Sequence, residues 1–138
     1  MSTKFLQDLH TGHDAEDFVV HIFEKHGYEI VKQATGYFPP YDFACLDRAG
    51  NIRKVEVKYD RKAHQTGNFF FEIEALGHSE ADILVYCYGQ PISKLYFYDL
   101  PTLYTQLRAK EPTARGGDKM ELGWLFPKES FNPKIVQI

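Results

Sequence analysis

The chain has 138 residues, 43% hydrophobic and 15% aromatic, enough apolar material for one domain, 1–138, with a core of its own. Basic residues number 16 and acidic residues 19, a formal charge of −3, which excludes a global basic field holding nucleic acid by charge alone. No apolar run approaches membrane-spanning length, and MSTKFLQDLHTGHDAEDF lacks a signal-peptide core. Cys45 and Cys87 sit in separate apolar runs without metal-type spacing and read as buried, reduced thiols of a cytoplasmic protein.

The first element expected is a helix over residues 12 to 26, where Ala15, Phe18, Val19, Ile22 and Phe23 form one apolar stripe that stops at Gly27. YEIVKQA is a strand, broken by TGYFPP. YDFACLD is a second strand, with Tyr41, Phe43 and Cys45 on one face. NIRKVEVKY is a third, with Val55, Val57 and Tyr59 on one face. A charged segment, DRKAHQTGN, leads into FFFEIEAL, expected as strand. ADILVYCY is a continuous apolar run and hence a buried strand. KLYFYDL is another strand, and Asp99 caps a helix to about Leu107 with Pro101 in its first turn. In the tail, MELGWLF and KIVQI read as short strands and TARGGDK as loop; the last ~30 residues look like an extension of the core. The order describes a mixed α/β or α+β domain.

Glu56 and Lys58 stand two apart in the third strand and share a face. DRAGN suits a hairpin whose type I turn is followed by a left-handed glycine, which pairs Asp47 with Asn51. Counting back, Cys45 pairs with Arg53, Ala44 with Lys54, and Asp42 with Glu56. Opposed residues place their Cβ atoms about 5 Å apart. Two carboxylates so placed repel unless a proton or a cation bridges them. A hard divalent ion suits that position, since Mg²⁺ takes one or two carboxylates with water and substrate phosphate. Glu16 borders the apolar stripe of the first helix and could lean towards the same site; an acid in a helical first turn is also an ordinary feature.

PYD followed by VEVK one hairpin later resembles the signature of the PD-(D/E)XK nucleases. GHDAE at the start of the first helix resembles the Gly-x-x-x-Glu of Holliday-junction-resolvase-like members. Tyr41 stands as an extra residue between the proline and the acid. The resemblance spans about residues 12 to 60, with ADILVYCY as a later core strand. It implies a restriction-endonuclease-like core, a central mixed β-sheet flanked by helices. It also implies metal-dependent hydrolysis of phosphodiesters. By position, Asp42, Glu56 and the Val57 backbone carbonyl would hold Mg²⁺ or Mn²⁺. Lys58 would orient the attacking water and stabilise phosphate charge, and Glu16 would bind a second ion or its water shell.

Around this site, Arg53, Lys54, Lys58, Arg61, Lys62 and His64 outnumber Glu56 and Asp60 and could seat a phosphate backbone, with binding that weakens in salt. In TGNFFFE, Thr66, Gly67 and Asn68 could contact a phosphate and Glu72 could approach the metal; equally the segment is a turn and an edge strand with its Phe residues buried or at a dimer contact. The pairs His10 and His13, and His21 and His26, have no partner set with zinc spacing. The expectation is a Mg²⁺-dependent DNA endonuclease, structure-specific in the manner of a Holliday-junction resolvase. A homodimer would match a two-fold symmetric branched substrate. The alternatives are a compact restriction or homing endonuclease, and a nuclease-like fold that only binds nucleic acid or protein.

Overall fold

A computed structural model describes residues 12–34, 40–116 and 121–138. The segments before residue 12 (with His10), most of TGYFPP, and residues 117–119 of TARGGDK lie outside the described residues. The amphipathic segment forms helix α1 (Gly12–Lys25), and Ala15, Phe18, Val19 and Phe23 are buried as their spacing requires. Strands β1 (Glu29–Gln33), β2 (Phe43–Leu46) and β3 (Ile52–Tyr59) follow. The polar segment after β3 becomes a short helix, α2 (Arg61–Thr66), because Asp60 caps it by accepting from Lys62 N–H.

FFFEIEAL divides. β4 is Asn68–Glu72, and a second short helix, α3 (Ile73–His78), takes the remainder. The expectation of one continuous strand fails there because Ile73 and Leu76, three apart, turn their side chains to the same core. β5 (Ile83–Tyr88), β6 (Lys94–Asp99) and helix α4 (Leu100–Arg108) come next, with Asp99 accepting from Thr102 N–H as its cap. β7 (Ala114–Gly116), β8 (Glu121–Pro127) and β9 (Lys134–Gln137) close the chain. TARGGDK is therefore not all loop: Ala114, Arg115 and Gly116 pair with β8.

Six strands form one mixed sheet in the order β1-β2-β3-β5-β6-β9, in which only β3 and β5 run parallel. A second, antiparallel sheet has the order β4-β8-β7. A parallel pair demands a long crossover, and here that crossover carries α2, β4 and α3. It lays the small sheet over one face of the large one, while α1 covers the other. β5 is buried on both sides as its apolar run suggested: Val85 and Cys87 face α1, and Leu84 and Tyr86 face the small sheet. The Tyr86 hydroxyl accepts Phe70 N–H at 3.1 Å and donates to Phe70 C=O at 3.3 Å, and its ring stacks on Phe69 at 3.7 Å. The two sheets are thus tied by hydrogen bonds as well as packing.

Cys45 and Cys87 are free and buried on the α1 side, and burial pushes the Cys45 thiol up to about 11. Among the described residues no helix is long and apolar enough to cross a membrane. Gly123 in β8 is needed for close approach: a Cβ there would lie 2.3 Å from Phe71 O and 2.7 Å from the Phe70 ring. Gly123→Ala is expected to cost about 3 kcal/mol, lowering the melting midpoint by roughly 10 °C; calorimetry checks this.

Candidate active site

The site forms where β2 and β3 part. The hairpin register is the one that DRAGN implies, with Ala44 opposite Lys54 and Cys45 opposite Arg53. Asp47 N–H donates to Asn51 C=O and Gly50 N–H to Asp47 C=O. Gly50 takes φ +85°, the left-handed position that ends a type I turn with a bulge. At the other end, Asp42 N–H donates to Val55 C=O at 2.9 Å. β2 begins only at Phe43, so Val57 N–H, which points to the same edge as the Val55 backbone, meets no ladder carbonyl. The Asp42 carboxylate takes that place and accepts Val57 N–H at 2.7 Å. The Val57 carbonyl leaves the strand on the same edge.

Because Asp42 is bent into this edge, Tyr41 does not share the face of Phe43 and Cys45. It packs with Ala44 on the opposite side, against the small sheet. Strand alternation does not extend past Phe43, and that corrects the expected grouping.

The ladder ends with Phe43 opposite Val55. Asp42, bent across the end of β2 rather than paired in register, still meets Glu56, and their carboxyl groups hydrogen bond to each other. Burial, then the Asp42 charge, pushes the Glu56 carboxyl up to about 8. Burial also raises Asp42, against the opposing Val57 N–H bond. Two acids so close cannot both ionise cheaply and hold a proton between them. The outer oxygen of Glu56, Oε2, accepts from Ser79 Oγ at 3.0 Å. Lys58, one pleat along the same face, pairs with Glu72 at 3.3 Å, and its Nζ lies 6.0 Å from the Phe70 ring centre. Glu72 therefore approaches the lysine, the partner that charge dictates.

The basic segment is split by strand parity. Lys54 shares the Glu56 face, with Nζ 5.5 Å from the Tyr41 ring and 4.0 Å from Glu80. Arg53 points to the other face and pairs with Asp47 at 3.1 Å. Arg61, Lys62 and His64 are exposed on α2, directly after β3. Thr66 and Gly67 do not form an open phosphate loop. Gly67 N–H bonds Ala63 C=O, Asn68 N–H bonds Thr66 Oγ1, and that hydroxyl donates to Lys62 C=O. The backbone donors are spent on ending α2 and starting β4. The Phe run is the buried edge strand of the small sheet, with Phe69, Phe70 and Phe71 all in the interior.

Glu16 is 9% exposed on α1, the helix that covers the opposite face of the sheet. Gln33 Nε2 donates to it at 3.3 Å and to Asp17 at 2.8 Å, and the next residue, Ala34, donates N–H to Asp42 C=O. Among the described residues no three His, Cys, Asp or Glu side chains converge as a ready-made metal set. Asp42 and Glu56 do meet, and paired carboxylates are oxygen ligands of the kind a hard divalent cation takes together with water and phosphate. The sequence does not single out Ser79: it lies 23 residues from Glu56, in a polar stretch after a helix, and carries no local signal.

Neither a protein-family model nor a curated protein sequence matches the chain. Its architecture, a six-stranded mixed sheet flanked by helices, is nevertheless similar to a nuclease fold. The solved structure it resembles is that of a bacterial homing endonuclease, I-Ssp6803I, with a TM-score of 0.53, 99% of this chain and 75% of that chain covered, and 18% sequence identity. At that identity the likeness is one of fold.

Proposed function

We propose that the chain is a divalent-metal-dependent endonuclease of the PD-(D/E)XK type that hydrolyses DNA phosphodiester bonds. The observation that carries this reading is the Asp42–Glu56 carboxyl pair with Lys58 on the same face, at the point where β2 leaves β3. Asp42, Glu56 and the Val57 carbonyl would hold Mg²⁺ or Mn²⁺, and Glu16 would reach the ion's water shell. When bound, such an ion acidifies an attacking water and offsets charge on the phosphate oxygens. Lys58, steadied by Glu72, orients that water and adds a positive charge where the phosphate becomes more negative. Lys54, Arg61, Lys62 and the Asn68 amide line the route of the DNA backbone.

For the substrate, a homodimer with two such sites would match the two-fold symmetry of branched DNA, which makes a junction the first reading. The fold likeness to a homing endonuclease favours a second reading, cleavage at a defined duplex sequence. Purified protein is to be incubated with labelled junction, linear duplex and single-stranded DNA in Mg²⁺, Mn²⁺ or EDTA. Divalent-dependent cutting is expected: of the junction alone for the first reading, at one duplex site for the second. DNA binding should weaken steeply as salt rises from about 50 to 200 mM, through counterion release. Intact DNA under every condition removes the enzyme reading.

A further inference from the structure

We propose that α3 is a positioning bracket for the Glu56/Lys58 pair: Ser79, just past its C-terminal end, fixes the Glu56 carboxylate, and Glu72, just before its first turn, fixes the Lys58 ammonium. Glu72 occupies the N-cap position of α3 yet makes no capping hydrogen bond; its carboxylate is turned to Lys58. Ser79 occupies the C-cap position in extended geometry, and its hydroxyl sits among three groups. It accepts Ala81 N–H at 3.2 Å, and lies 3.0 Å from Glu56 Oε2 and 3.4 Å from Pro40 C=O.

A hydroxyl has one proton to give. Pro40 C=O already receives Glu80 N–H at 2.7 Å, so the shorter bond to Glu56 takes that proton. One Glu56 oxygen is thereby anchored and the carboxyl is held in the orientation that meets Asp42. The dimensions agree: a six-residue helix rises ~9 Å, and same-face neighbours in a strand stand ~7 Å apart. Leu76 pins the middle of the helix in the core. The bracket is further stiffened by Asp82, whose carboxylate accepts Lys54 N–H at 3.0 Å and whose N–H donates to Lys54 C=O at 2.8 Å.

The catalytic meaning of this bracket rests on the nuclease reading, but its geometry is testable without it. In the full metal-free chain, NMR couplings across the Glu56 side chain report its rotamer. Wild type and Ser79→Thr, which keeps the hydroxyl, should show one rotamer, and Ser79→Ala an average of several. By electron paramagnetic resonance, Ser79→Ala should bind Mn²⁺ about ten- to a hundredfold more weakly, with Ser79→Thr staying within about threefold of wild type. Glu72→Gln should leave Mn²⁺ affinity unchanged and lower the turnover rate for DNA at constant KM. A single fixed Glu56 rotamer in Ser79→Ala overturns the proposal, as does a Ser79→Thr chain as impaired as Ser79→Ala. A wild type that neither binds Mn²⁺ nor cuts DNA removes the nuclease reading alone, and the rotamer comparison still decides whether Ser79 holds Glu56.

Discussion

Alanine at Lys58 is expected to lower divalent-dependent DNA cleavage about a thousandfold, the loss typical of one preorganised charge aimed at a transition state. Lys58 Nζ sits on the face that holds Glu56 and Asp42, in a side chain only 29% exposed, so its charge is weakly screened by water. The substitution should spare the fold. It removes a partly buried ion pair with Glu72, whose side chains are 29% and 24% exposed, a loss on the order of 1 to 2 kcal/mol. A gel shift in Ca²⁺ should therefore show DNA binding within a few-fold of wild type, while cleavage in Mg²⁺ collapses. Lys54→Ala supplies the contrast. Lys54 shares the face but leans on Tyr41 and Glu80, so its loss should weaken binding and flatten the salt dependence with little effect on turnover. A Lys58→Ala chain that cuts at more than about a tenth of the wild-type rate would remove Lys58 from the chemistry.

The register that makes this site is legible because it is local. Five residues, DRAGN, specify a turn type, a turn type specifies a pairing, and a pairing specifies which side chains share a face. α1 and β5 are legible for a related reason: their apolar residues recur with the period of the element or fill it without interruption. The features with no local signal depend on contacts distant in sequence. Alternation groups Tyr41 with Phe43, yet the edge left by β2 draws Asp42 to Val57 N–H and turns the chain before the strand begins. Nothing in FFFEIEAL marks where strand gives way to helix; the change at Ile73 follows from the core that Leu76 must enter. β7 is three residues long and becomes a strand only because β8 is there to pair with it. Ser79 and Glu72 reach the site through the crossover that a parallel β3–β5 pair requires, and no spacing rule anticipates what such a crossover delivers.

Without metal, the protein is expected to lose stability as pH rises, and Glu56→Gln is expected to remove most of that loss. Glu56 ordinarily ionises near 4.5 and in the folded chain only near 8. Below both values either state holds the proton, and the pair exacts no pH-dependent penalty. Between them the unfolded chain has released a proton that the folded chain keeps, so each pH unit favours unfolding by about 1.4 kcal/mol. Asp42 is raised as well, which pushes in the same direction. The sum is on the order of 4 kcal/mol between about pH 5 and pH 8, a fall of roughly 12 °C in the EDTA melting midpoint for a chain of this size. Above the folded value the loss levels off, because both states are then ionised. Glutamine keeps the shape of the side chain and cannot ionise, so Glu56→Gln should melt higher than wild type at about pH 8 in EDTA and show little slope. Saturating Mg²⁺ should raise the wild-type midpoint at that pH and leave Glu56→Gln nearly unmoved, since binding stabilises only a chain that offers the site. Equal midpoints for the wild type at the two ends of this pH range in EDTA would mean that the two acids do not contend for one proton, and the case for a cation between them would fall with it.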